Sequence, residues 1–169
     1  MQQEEQNKAV IRFVDESTRR INTLDPRLIE PAMRIFQTCL SEKIPIYITW
    51  GGRTVDEQNL LFKYGRTLPG PIMTCRRGGY SAHNFGLALD FCLTTKDKLL
   101  VWEDVYEDPK WRKKWFRIVE LFELEGWESG WRWPSFEPSH VQNLLGHTIG
   151  DLHNIYRQDE NRNNGNKDL

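Results

Sequence analysis

Fifty residues separate Asp90, at the end of the run Ser81-Ala82-His83-Asn84-Phe85-Gly86-Leu87-Ala88-Leu89-Asp90, from His140, at the end of Glu137-Pro138-Ser139-His140. These two segments restrict the fold more than any other feature, because each carries part of one chemistry. His83, Asp90 and His140 are donors of the types that bind Zn²⁺, and three protein ligands leave the fourth tetrahedral position open to water. Glu137 is a spare carboxylate able to take that water's proton. A closed structural site would supply four protein ligands, usually with cysteine among them. Any fold that uses this pattern must bring residues 83–90 against residues 137–140.

The local spacing sharpens that demand. Phe85 to Phe91 alternates large with small, so a strand would turn Gly86, Ala88 and Asp90 to one face and Phe85, Leu87, Leu89 and Phe91 to the other. The small face leaves room for a metal. His83 has the wrong parity to share it, which predicts a turn or bulge between His83 and Gly86. Glu137 precedes His140 by three residues, a distance that one turn can span, and Pro138 stiffens that turn.

With 169 residues the chain suits one domain with a core large enough to stand without disulfides. Cys39, Cys75 and Cys92 are odd in number and lack Cys-x-x-Cys spacing, so they read as reduced, mostly buried thiols. Lys and Arg number 23 against 24 Asp and Glu, a balance with no global field for nucleic acid or an anionic membrane. Met1-Gln2-Gln3-Glu4-Glu5-Gln6 is polar and acidic where a secretory signal would be basic and then apolar. No apolar run reaches the roughly 18 residues of a membrane span.

Val10, Phe13, Val14 and Ile21, then Leu28, Ala32, Ile35, Phe36 and Leu40, recur at helical spacing and predict two opening helices. Asp25-Pro26 is a cap and first-turn pair that divides them. Ile46 to Trp50 reads as a strand, and Thr54 with Glu57 as a capping box for a short helix over 55–64. Residues 65–79, rich in Gly, Pro and Arg, read as a long loop. Trp111, Trp115, Ile118, Val119 and Phe122 form the stripe of a further helix starting at Asp108-Pro109 and ending at Gly126. Gly130, Pro134 and Pro138 exclude one long helix over 127–140, leaving a loop and short strands. The expected domain spans 1–156, with 157–169 a polar tail that frays.

Ser-x-His-x-x-Gly-x-Ala-x-Asp with a later acid three residues before a second His resembles the M15 family of zinc peptidases. That family includes D-alanyl-D-alanine carboxypeptidases, the D,D-dipeptidases of vancomycin resistance and L-alanyl-D-glutamate endopeptidases of phages and bacteria. Ile46-Tyr47-Ile48-Thr49-Trp50-Gly51-Gly52-Arg53-Thr54, then Glu57-Gln58, Tyr64-Gly65-Arg66-Thr67 and Pro69-Gly70, is similar to the endopeptidase branch, in which endolysins are prominent. Many members of that branch have Asp where Glu137 stands, whereas Glu occurs in other branches.

The resemblance implies an α+β fold, a small antiparallel sheet flanked by helices in a single zinc-binding domain. It implies His83, Asp90 and His140 as ligands of Zn²⁺, Glu137 as general base, Arg53 as a donor to the scissile carbonyl and Ser81 as a contact for a substrate carboxylate. Trp127, Trp131 and Trp133 crowd the approach to Glu137, as cleft wall or, for at least one, as core. Arg66, Arg76 and Arg77 are either contacts for stem-peptide carboxylates or solvated loop charges, and His147 and His153 read as non-ligands. The expected activity is hydrolysis of peptidoglycan stem peptides, first at the L-alanyl-D-glutamate bond. The alternatives are a D-alanyl-D-alanine carboxypeptidase or dipeptidase and, in another class, a non-catalytic zinc-bearing binding module like the Hedgehog signalling domain. The expected protein is a monomer that binds no nucleic acid, inserts in no membrane, is made in the cytoplasm and reaches the wall after release, as through a phage holin.

Overall fold

A computed structural model describes residues 2–95, 100–102 and 108–165. Helices α1 (Gln2–Ile21) and α2 (Pro26–Ser41) lead into strand β1 (Ile46–Trp50) and helix α3 (Val55–Lys63). A 3-10 turn, Ala82–Phe85, enters β2 (Ala88–Thr94), followed by β3 (Leu100–Val101), α4 (Pro109–Leu124), β4 (Glu128–Ser129), β5 (His140–Gln142) and α5 (Ile149–Gly165).

The helix boundaries fall where side chains can satisfy free backbone groups. Asp25 accepts from Arg27 N at 3.0 Å ahead of α2, and Asp108 accepts from Lys110 N at 2.8 Å ahead of α4. Thr54 and Glu57 form both bonds of the capping box at the start of α3. The sheet runs β1-β2-β5-β4 with β3 also on β2, and every pairing is antiparallel. This is the expected α+β architecture.

Leu89, Phe91 and Leu93 of β2 are fully buried, and Phe91 packs at 4.9 Å from the Trp115 ring and 6.2 Å from that of Phe122 on α4. That face is the core. Ala88 and Asp90 project from the other face, as the alternation predicts. The strand begins at Ala88 rather than Phe85, because residues 82–85 are wound into the 3-10 turn and Gly86 ends it with φ +66°. A side chain at Gly86 would also strike Asp25 N, only 2.7 Å from the added carbon. The change of direction between His83 and Gly86 is thereby accomplished.

Helix α1 lies along β1, which is an outer strand of the sheet. Ser17, fully buried, accepts from Ile48 N at 3.1 Å, and Arg20 Nη1 donates to Ile48 O at 2.5 Å. Both outward-facing backbone groups of Ile48 are thus bonded to the helix. Helix α5 continues through Gly165, across a stretch whose composition reads as a fraying tail; positions 166–169 lie outside the described residues. Cys39 and Cys92 are buried and free, their thiols pushed up to about 12 by burial, whereas Cys75 is free and exposed. No helix among the described residues is long and apolar enough to cross a membrane.

Candidate metal centre and active-site cleft

His83 sits in the 3-10 turn with 4% of its surface exposed, and its Nδ1 lies 2.7 Å from Gly51 O. A carbonyl oxygen can only accept, so Nδ1 carries the hydrogen and the lone pair of Nε2 is left for another partner. That nitrogen faces Asp90 Oδ2 at 3.3 Å. Gly52 N donates to Thr23 Oγ1 at 2.6 Å, and Arg53 N donates to His83 O at 2.8 Å. The strand end that orients the imidazole is therefore tied both to the end of α1 and back to the turn.

Asp90 and His140 are directly opposed residues of β2 and β5. Sheet register alone brings them together, and His140 Nδ1 lies 3.0 Å from Asp90 Oδ1. One donor atom each from His83, Asp90 and His140 falls within 4.8 Å of the others. Burial opposes the charge on Asp90, yet the His83 and His140 imidazoles outweigh it and hold the carboxyl well below the usual range. Burial likewise opposes protonation of His140, but Asp90 overrides it and raises that pKa. Two imidazoles and a carboxylate converging so closely could hold a cation between them. The donor set suits Zn²⁺, and its geometry fits a resident divalent metal.

The centre opens into a cleft of about 950 Å³ lined by Arg53, Ser81, Glu137 and Trp133 among others. Arg53 has only 7% of its side chain exposed; its guanidinium lies 4.6 Å from the Trp50 ring centroid and donates from Nη1 to Gln58 Oε1 at 2.7 Å. Its Nη2 is 3.8 Å from Asp90 Oδ2, and its buried Nε has no acceptor among the described residues. Ser81 is buried at the start of the turn, on the cleft wall.

Glu137 is exposed, and its negative charge contributes to the raised pKa of His140. Its backbone is held closely: Glu137 N donates to Gly130 O and His140 N to Glu137 O, each at 3.0 Å. Gly130 lies so near that an added side-chain carbon would collide with Glu137 O and Cβ, so only glycine admits this approach. Trp115 Nε1, from the core helix, donates to Pro138 O at 3.0 Å. The acid and the second histidine are positioned by one loop pinned at both ends.

The family model for D-alanyl-D-alanine carboxypeptidase, Peptidase_M15_4, matches residues 74–143. The peptidoglycan L-alanyl-D-glutamate endopeptidase CwlK of Bacillus subtilis is 36% identical over 115 residues, covering 68% of this chain and 69% of the relative. The chain belongs to the M15 peptidase family. Its fold is that of solved M15 structures: the L-Ala D-Glu endopeptidase ChiX of Serratia marcescens aligns with a TM-score of 0.52 at 18% identity, over 77% of this chain and 87% of that one.

In this M15 peptidase the tryptophans divide as the spacing allows. Trp127 is core, 5.3 Å from the Phe122 ring, while Trp133 stands 5.3 Å from the His140 ring in the cleft. Arg66 is exposed and lies outside the cleft lining, and it also donates to Phe62 O at 2.6 Å and Thr74 O at 3.1 Å, bracing the loop. His153 bonds Gly79 O at 3.0 Å and stacks on Tyr80 at 3.8 Å, docking α5 against the same loop.

Sequence reasoning placed Asn84 in the turn and Gln58 in the family pattern but assigned neither a role in holding Arg53. Asn84 accepts from Gly79 N and donates to Arg53 O, both at 2.9 Å, joining the metal turn to the arginine. Gln58, fully buried, accepts from Arg53 and donates to Thr74 Oγ1 at 3.1 Å and Arg76 O at 2.8 Å. The available signal was its phase, since Val55, Gln58 and Leu61 lie at three-residue intervals along α3 and Gln58 occupies an inward position.

Proposed function

We propose that this M15 peptidase is a zinc-dependent endopeptidase of peptidoglycan stem peptides, cleaving between L-alanine and D-glutamate. The observation that carries the reading is the convergence of His83, Asp90 and His140 at the floor of a cleft that also contains Arg53 and Glu137. The substrate follows from the activity named for the B. subtilis relative.

In this reading His83, Asp90 and His140 hold Zn²⁺, which when bound supplies a Lewis acid that makes water acidic near neutral pH. Glu137 takes the proton of the attacking water and passes it to the departing amine nitrogen. Arg53 donates to the scissile carbonyl oxygen as negative charge develops there, and its buried setting strengthens that interaction. Ser81 binds a carboxylate of the stem peptide at the cleft wall. The enzyme acts as a monomer on the cell wall after release from the cell that makes it.

The test is digestion of purified peptidoglycan by the zinc-loaded protein, with mass spectrometry of the released ends. New L-alanine C-termini paired with D-glutamate N-termini are expected. The Glu137→Gln protein should keep its zinc and fold while losing about 10²–10⁴-fold in kcat. An active Glu137→Gln protein would remove the general base from this scheme. Because the matching family model is described as a D-alanyl-D-alanine carboxypeptidase, free D-alanine as the product would move the assignment to that activity.

A further inference from the structure

His83 owes its orientation to a backbone carbonyl, Gly51 O. His140 lies in a strand whose backbone is committed to the sheet, and the partner of its outer nitrogen is a side chain. His140 Nε2 lies 3.2 Å from Gln142 Oε1, and Gln142 Nε2 donates to Glu128 Oε2 at 3.0 Å. We propose that Gln142 and Glu128 are positioning residues that fix His140 with Nδ1 as its metal-binding nitrogen. The inference rests on His140 being a metal ligand, as in the function proposed above.

The direction of each bond follows from chemistry. A carboxylate only accepts, so the Glu128 side turns the NH₂ end of the Gln142 amide toward itself and leaves the carbonyl end facing His140. A carbonyl also only accepts, so His140 must present Nε2–H to it. A cation held between His140 and Asp90 would take the place of the hydrogen that Nδ1 shares with Asp90 Oδ1, so the lone pair of Nδ1 would be its ligand. Glu128 at the end of the relay polarises the amide, which makes the imidazole a more basic donor.

The sheet builds this arrangement through register. His140 and Gln142 are two apart on β5 and share a face; Asp90 stands opposite the first, while Ala88 and Glu128 flank the second. Ala88, fully buried and small, leaves the space the Gln142 side chain crosses. Gln142 is 9% exposed and uses both ends of its amide, which packing alone would not require.

The experiment is zinc affinity, measured by competition with a chromophoric chelator on the full chain. Gln142→Met, similar in size but without a comparable acceptor, should bind zinc about 10–100-fold more weakly. The double variant Gln142→Glu with Glu128→Gln retains an acceptor for His140 and a hydrogen bond across the strands with the same total charge, and should recover affinity to within about threefold of wild type. Circular dichroism of the zinc-free proteins checks that all are folded. Wild-type affinity in Gln142→Met, or no recovery in the folded double variant, would overturn the inference. His140→Ala is the separate control: unchanged zinc affinity there would instead remove His140 as a ligand.

Discussion

Arg53 is a charged side chain held almost out of water between the Trp50 ring and the amide of Gln58. Gln58→Leu would leave Arg53 and the part-buried Thr74 contact without their partner at once, and a lost bond to a buried charge costs about 1.5–3 kcal/mol. The expected result is a kcat/KM lowered about 10-fold or more with zinc content unchanged, read by steady-state kinetics beside metal analysis. Full activity would mean that Arg53 needs no such support. The two residues were unequally legible. Arg53 could be given a role because it follows Gly51-Gly52 in a pattern of known kind, whereas Gln58, though part of that pattern and inward in phase, shows its role only once its partners are placed. Arg66 was ambiguous for a related reason: sequence gives a charge, but only the positions of Phe62 O and Thr74 O show that this exposed charge also braces the loop.

Strand β1 and helix α1 meet through Tyr47, whose hydroxyl donates to Glu16 Oε2 at 2.5 Å. That bond, with a further one from Arg12, holds the Glu16 carboxyl below its usual range despite some burial. Burial and the Glu16 bond raise the Tyr47 phenol above its own. A depressed carboxyl stabilises the fold above its unfolded pKa of about 4.3 and stops doing so as pH falls through the folded value; a raised phenol contributes below about 10 and is lost as pH rises. Glu16→Gln should therefore cost about 1 kcal/mol near neutrality, a few degrees in Tm, with the difference from wild type shrinking below about pH 4. A constant difference through pH 3 would refute the ionic origin. Among the elements, the break at His83–Gly86 was legible because parity demanded it, and α4 because its stripe is long. Helix α5 was not read from the sequence, since its apolar content fades after Tyr156; in the structure Thr148 and Asp151 cap each other's backbone at its start at 2.9 and 3.1 Å.

Among the described residues the candidate chemistry gathers in one place. A second hollow of about 760 Å³, beside α4, is edged by Lys110, Lys114 and Arg117, yet Arg117 is already paired with Glu42 at 2.7 Å, and the metal-binding cluster among the described residues lies elsewhere. Because the cluster draws on the turn before β2, on β2 and on β5, metal binding there would be coupled to the pairing of those strands. Zinc at about a hundredfold excess over its Kd should add about 2.7 kcal/mol, or roughly 5–10 °C in Tm, reversible by a chelator and absent from His83→Ala. Equal melting with and without zinc would separate the metal from the fold.

Helix α1 has a further consequence through its grip on Ile48. An outer strand with free N–H and C=O groups is a template on which another chain can add a strand of its own, and Ser17 with Arg20 occupies that template. Damage to this helix would consequently surface as self-association of the protein through β1, even with the catalytic cleft intact.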